Sequence, residues 1–401
     1  MWSPTRSHCL ACAFALWLLP ACGNTGNVGG TEDAETRDAL VVPFKLDAPD
    51  KPEAGRDSAA TGSGGLGGSG GVGGTGDKPS AGGSGGTGTS TLPQLQVSEF
   101  QVPEDKGATM GAGIAIEKIA AGPDGNLWFT EYQGNAIGRI TTAGVITPFT
   151  LSYLYSGPSG IAAGPDGAMW FTERGWGAIG TPGNQIGRIT MAGQITEFKI
   201  PTADSGASAM VAGPDGAMWF AEDSAVKIGR IAMDGTITEF PLPSPFWGVD
   251  EMVFGADGAL WFADLWNTAI GRMTLDGTIS SFPSKGSTSA AKGMVSAGDG
   301  NVWYTDNLDG KICRVTTAGA VTEFTLPPSQ TYDPSPFGII VGPDGNLWFT
   351  ETGLKRIARM SLSGVLTEYS VSSTGTPTYL TLGPDGRIWF TASSWVGSLA
   401  P

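Results

Sequence analysis

The chain has 401 residues, 63 of them glycine, with four cysteines, a single histidine and a formal net charge of −15. That acidic balance excludes the basic patch a nucleic-acid partner needs. Fifteen of the glycines crowd between Gly62 and Gly88, so the chain is not one uniform globule.

The first 22 residues read as a secretion signal, with Arg6 as the positive n-region and Leu10 to Leu19 as an apolar core too short to span a bilayer. The segment ends in Leu19-Pro20-Ala21-Cys22-Gly23, which is similar to a bacterial lipobox. Residues 1–22 are therefore expected to be a lipoprotein-type signal peptide and Cys22 the lipidation site. The expected location is the cell envelope, as an outer-membrane or cell-surface lipoprotein held by its lipid anchor only. Pro20 is unusual in that pattern, so the alternatives are cleavage at a neighbouring site and a plain secreted protein. Cys9 and Cys12 leave with the signal, and Cys313 is then the one thiol without a lipid, so no internal disulfide is expected.

Residues 23–94 read as a disordered linker. Gly62 to Gly88 is almost entirely Gly, Ser, Thr and Ala, a composition that buries too little apolar area to offset chain entropy. Such a chain has a root-mean-square span of about 45 Å, enough to hold a domain clear of a membrane surface.

From Leu95 to Pro401 a unit recurs: Gly-Pro-Asp-Gly-x-x-Trp-Phe-Thr-Glu, then Ile-Gly-Arg-Ile, then Gly-x-Ile-Thr-Glu-Phe. Trp128, Trp170, Trp219, Trp261, Trp303, Trp348 and Trp389 mark seven copies, at spacings of 42, 49, 42, 42, 45 and 41 residues. A period near 42 is the mark of a propeller or solenoid. In the second copy Gly160–Ala163, Ala168–Glu173, Gln185–Thr190 and Gln194–Ile200 read as strands separated by turns, and four strands per repeat fit a propeller blade. The last copy stops before its outermost strand, and Val97-Ser98-Glu99-Phe100-Gln101-Val102-Pro103 matches that strand. The fold class is all-β: a seven-bladed β-propeller of four-stranded blades closed by an N-terminal strand, which removes two open edges.

The tryptophans are expected to fill the wedges between blades. A four-residue loop at Tyr132–Asn135 would set Trp128 opposite Arg139, the guanidinium over the indole; Arg188, Arg230, Arg272, Arg314 and Arg359 recur at that place. Glu131, Glu173, Glu222, Asp264, Asp306 and Glu351 form a second equivalent set. Pseudo-symmetry would arrange them as a broken ring able to hold Mg²⁺ or Ca²⁺, the alternative being that each caps its own loop. The inter-blade loops open beside the ends of the second strands and carry Tyr153, Tyr155, Phe246, Trp247, Tyr332 and Phe337. Trp176 and Trp266 join them from second-to-third-strand loops. These aromatics are the candidate ligand surface, suited to sugar rings or flat apolar molecules, the alternative being packing within the loops.

The blade unit, with Asn135-Ala136-Ile137-Gly138-Arg139-Ile140-Thr141, resembles that of the virginiamycin B lyases (streptogramin lyases) over all seven blades. The resemblance implies magnesium-assisted ring opening of a cyclic depsipeptide by elimination, with a histidine removing the proton α to the ester carbonyl. In that family the histidines follow a proline at the start of the inner strand in the last two blades. Here those places hold Phe337 after Pro336 and Thr378 after Pro377. Thr376 and Ala392-Ser393 stand where the family has acidic residues. The one histidine, His8, lies in the signal. No catalytic residue is therefore assigned. The reading that follows is a monomeric, non-catalytic propeller that binds a small molecule, a glycan or an envelope protein. The alternatives are a Mg-dependent carbon-oxygen lyase opening streptogramin B-type lactones with a non-histidine base, a metal-dependent lactone hydrolase, and an envelope scaffold.

Overall fold

The computed structural model describes residues 92–103, 115–175, 183–264, 269–283, 291–329 and 331–401. The signal, Cys22 and the linker up to residue 91 lie outside them. All regular elements among the described residues are strands, and they form seven antiparallel blades. The first blade runs Ile116–Ala121, Leu127–Glu131, Ala136–Ile140 and Ile146–Thr150 from the axis outward. The innermost strands of the next six are Pro158–Ala163, Ala207–Ala212, Val249–Phe254, Ala291–Ser296, Pro336–Val341 and Leu380–Leu382. Each packs on its successor and the seventh packs on the first, so the ring closes.

Val97–Gln101 is the outermost strand of the seventh blade, antiparallel to Trp395–Leu399 with Phe100 opposite Val396. One feature was not anticipated. Gln94–Leu95 crosses to the sixth blade and pairs in parallel with Leu366–Val371, Gln94 opposite Ser370. The segment thus stitches two blades, and the boundary drawn between residues 94 and 95 falls inside this short strand.

Second strands are buried along their whole length, because both faces lie against neighbouring blades. This is why they read as continuous apolar runs rather than alternating ones. Each of the seven tryptophans is at most 1 % exposed. Each stacks on an aromatic of its own outermost strand, with centroids 5.3–5.7 Å apart and planes within 10–24°. It also packs on the next blade, as Trp128 does on Met169, Phe171 and Ile189. Trp128 lies opposite Arg139 across a four-residue turn. In five blades the guanidinium carbon sits 5.5–5.9 Å from the indole centre.

The aspartate of Gly-x-Asp-Gly, which reads Ala297-Gly298-Asp299-Gly300 in the fifth blade, completes the unit. In all seven blades it accepts the indole N–H, at 3.0–3.3 Å. In four it also pairs closely with the arginine, as in Arg230 Nε to Asp215 at 2.7 Å. The turn brings it there through a glycine in left-handed backbone, Gly216 at φ 74° in that blade. Asp215→Ala leaves a buried indole N–H and a guanidinium without their acceptor. It is expected to cost about 2 kcal/mol, read from the urea midpoint, whereas Asp234→Ala on the outer turn of the same blade should cost far less.

A threonine stitch runs around the inner ring. Thr130, Thr172, Thr305, Thr350 and Thr391 each donate to a main-chain carbonyl of the next blade, at 2.6–3.0 Å. The last of these bonds, Thr391 Oγ1 to Glu117 O, joins the seventh blade to the first. The third blade has Ala221 instead, and Ser208 Oγ replaces the stitch by donating to Val249 O at 3.2 Å. Every inner strand of the first six blades breaks register near its start. These bulges turn the second and third residues of the strand out of the ladder in five blades, and in the fourth Asp250 alone, with Glu251 still opposite Ala263; the functional centre is built there.

Candidate functional site

Two zones share the face onto which the inter-blade loops open. At the rim, Tyr153, Trp247 and Tyr332 stand on three separate inter-blade loops and are 50 %, 67 % and 65 % exposed. Asn135, at φ 53°, shapes the first of these loops. Its Nδ2 donates to Tyr153 O at 2.6 Å and its Oδ1 accepts from Ser156 N at 2.7 Å. The amide of Trp247 donates to Asp264 at 2.7 Å. Tyr155 is half-buried in the same loop as Tyr153. Phe246 is a correction: it is buried against Phe262, centroids 5.0 Å apart, and belongs to the core. Trp176 and Trp266 lie outside the described residues. Phe337 belongs to the centre, where its ring meets Tyr379 edge-on at 5.0 Å.

At the centre the bulged residues of the inner strands meet. The position after the first strand residue carries Glu117, Ser159, Ser208, Asp250, Lys292, Phe337 and, in line with them in the last blade, Thr378. The next position carries Lys118 and Glu251 where other blades have glycine or alanine, and Tyr379 in the last. Lys118 of the first blade forms an ion pair with Glu251 of the fourth, three blades away, so the pair crosses the middle of the ring. The Lys118 ammonium also lies 4.0 Å from the centre of the Tyr379 ring. Lys292 pairs with Asp250 at 2.7 Å and Arg174 with Asp223 at 2.9 Å. Ser159 Oγ donates to Glu117 at 2.7 Å.

Burial pushes the carboxyls of Glu117, Glu251 and Asp223 above the usual range against the pull of these cations. Burial and then the nearby carboxylates push the Tyr379 phenol well up, so it stays neutral. This network was not found from the sequence. Its signal is a departure from the repeat, charge where equivalent inner strands carry serine, glycine or alanine.

The six carboxylates read as a broken ring do not converge. Each is buried at the end of its second strand. Asp264 accepts from Trp247, and Asp306 from the amide of Asp309 at 3.1 Å. Glu173, Glu222 and Glu351 face Glu197, Glu239 and Glu368 of their own outer strands. Among the described residues no group of three or more His, Cys, Asp or Glu is placed to hold a metal ion. The magnesium implied by the resemblance does not fit either. Thr376 and Ala392-Ser393 offer no carboxylate. Thr378 Oγ1 is bonded to Thr391 at 2.8–3.0 Å, and Phe337 has no donor atom.

The family model described as "Virginiamycin B lyase family" matches residues 90–183, 181–333 and 286–395, which together span every blade. The chain belongs to the virginiamycin B lyase family. A virginiamycin B lyase of Bordetella parapertussis is 37 % identical over 68 residues, 17 % of this chain and 20 % of that protein. The matched stretch thus spans about a fifth of such curated relatives. The crystal structure of virginiamycin B lyase from Staphylococcus aureus is 31 % identical, covering 77 % of this chain and 100 % of that one, with a TM-score of 0.68. A catalytically inactive histidine-to-alanine variant of the S. aureus lyase, solved with quinupristin, gives the same figures. Within the virginiamycin B lyase framework, this chain keeps the seven blades.

Proposed function

We propose that this virginiamycin B lyase-like propeller is a non-catalytic binding module, tethered at the cell envelope through Cys22 and the linker that follows it. It takes its ligand on the face that carries Tyr153, Trp247 and Tyr332 around the charged centre. The observation that carries the reading is the pair Phe337 and Thr378 at the family's histidine places, in a chain with no histidine after His8. Both side chains are already committed, Phe337 to the Tyr379 ring and Thr378 to Thr391. A hydrocarbon ring and a bonded hydroxyl cannot remove a proton near neutral pH.

The test is incubation of the full chain with a type B streptogramin and Mg²⁺, followed by chromatography and mass. No ring opening at high protein concentration is expected. Opening with unchanged mass is elimination, overturns the reading and directs attention to Glu117, the carboxylate in line with those two places. Opening with addition of water also overturns it, in favour of a hydrolase.

A further inference from the structure

The charges at the centre do not balance. Among the described residues the cluster holds four carboxylates, Glu117, Asp223, Asp250 and Glu251, against three cations, Lys118, Arg174 and Lys292. Three of the carboxylates each touch one cation. Glu117 touches none, and its one hydrogen bond from a described residue comes from the neutral Ser159 hydroxyl at 2.7 Å. A carboxylate so placed, half-buried and without a cation at hydrogen-bond distance, is stabilised by a proton or by an incoming cation.

The cluster also shows which cation suits it. The chain's own Lys118 ammonium sits on the face of the Tyr379 ring, 4.0 Å from its centre, while paired with Glu251. Carboxylate plus aromatic face is the environment that holds ammonium groups. Glu117 and Tyr379 stand on neighbouring blades joined at Thr391, whose Oγ1 donates to Glu117 O at 3.0 Å and accepts from Tyr379 N at 3.2 Å, so Glu117 offers a second ammonium a carboxylate close to the same residue. The net charge of −15 favours approach of a cation over an anion. A metal ion is the poorer match, because the cluster presents one carboxylate to it and no group of three ligands.

We propose that the centre of this face binds a small organic cation, a primary or quaternary ammonium group, with Glu117 as its counter-ion and Tyr379 as its aromatic wall. The site deepens the binding-module reading and rests on it. An apolar ligand body would then reach outward toward the exposed Tyr153, Trp247 and Tyr332.

The test is calorimetric and NMR titration of the full chain with tetramethylammonium and ethylammonium chloride, against sodium chloride of equal ionic strength. Saturable one-to-one binding by at least one of them is expected. Glu117→Gln, which keeps the Ser159 bond, should weaken it at least about ten-fold. Tyr379→Leu should weaken it about five-fold, and Glu222→Gln, outside the centre, should leave it unchanged. Melting curves certify that each variant is folded, and if Tyr379→Leu is not, Glu117→Gln alone decides. Absence of saturable binding, or equal binding by wild type and Glu117→Gln, overturns the proposal. So does Glu117-dependent binding of Mg²⁺ or of acetate in place of the ammonium ions. If the ammonium site fails while the streptogramin stays intact, the binding-module reading stands without it. Streptogramin turnover removes the reading itself.

Discussion

The melting temperature of this protein is expected to fall by of order 10 °C between pH 5 and pH 9, and most of that fall is expected to vanish in Glu222→Gln/Glu351→Gln. Glu222 and Glu351 are fully buried and face a second carboxylate, Glu239 and Glu368 respectively. Burial first, then the neighbouring charge, pushes Glu222 up to about 8 and raises Glu351 in the same direction. Glu173 is pushed to about 7, by burial and then by Glu197. Each of these groups has its folded pKa above its unfolded one. Its contribution is therefore complete below about pH 4.5, the unfolded value, and is lost as pH rises through the folded value. A tenfold change in proton affinity is worth about 1.4 kcal/mol, so each group accounts for roughly 3 kcal/mol or more at the alkaline end. Glutamine keeps a donor toward Glu239 or Glu368 and cannot ionise. The double variant should therefore match the wild type at pH 5 and exceed it at pH 9. Parallel profiles for the two proteins would show that these carboxyls do not titrate in this window.

The acid side carries the opposite sign. Asp166, Asp215, Asp257 and Asp344 are lowered, because hydrogen bonds from arginine and indole outweigh the effect of burial. Their contribution is present above the usual aspartate range and is lost as pH falls through it. Stability should accordingly peak in mildly acidic solution.

Lys118→Met is expected to cost about 3–5 kcal/mol. The lysine side chain is 20 % exposed and Glu251 is 11 % exposed, so removing the ammonium leaves a carboxylate in a dry site beside Asp250. Lys118→Met/Glu251→Met removes both charges and should recover most of the loss, a coupling of about 2 kcal/mol or more in a double-mutant cycle. Urea unfolding measures both quantities. A single-variant cost under about 1 kcal/mol would place the pair among ordinary exposed ion pairs and remove its role in tying the first blade to the fourth. Lys292→Met should cost less, since Lys292 and Asp250 belong to adjacent blades already held by their strands.

Much of the candidate site was illegible from the repeat because the repeat draws the eye to what recurs. Six acidic residues at equal spacing suggested a common metal ring. Rotation about the axis preserves each local environment, and in Glu173, Glu222 and Glu351 that environment is the outer strand of the same blade. Symmetry made them equivalent without making them neighbours. Lys118 and Glu251 are 133 positions apart in the chain and share no motif. They meet because the inner strands of the first and fourth blades face each other across a ring a few strands wide.

The number of blades, the register of Trp128 against Arg139 and the closing strand at Val97–Gln101 were determined by the sequence alone. Each follows from local pairing rules that repeat every forty-odd residues, so seven copies state the same geometry seven times. The absence of histidine after His8 is equally a property of composition. Only the tertiary structure decided what meets at the centre. Closing the ring turns bulged, non-repeating positions from separate blades toward one axis, where burial and unlike charges at hydrogen-bond distance set the chemistry of the centre.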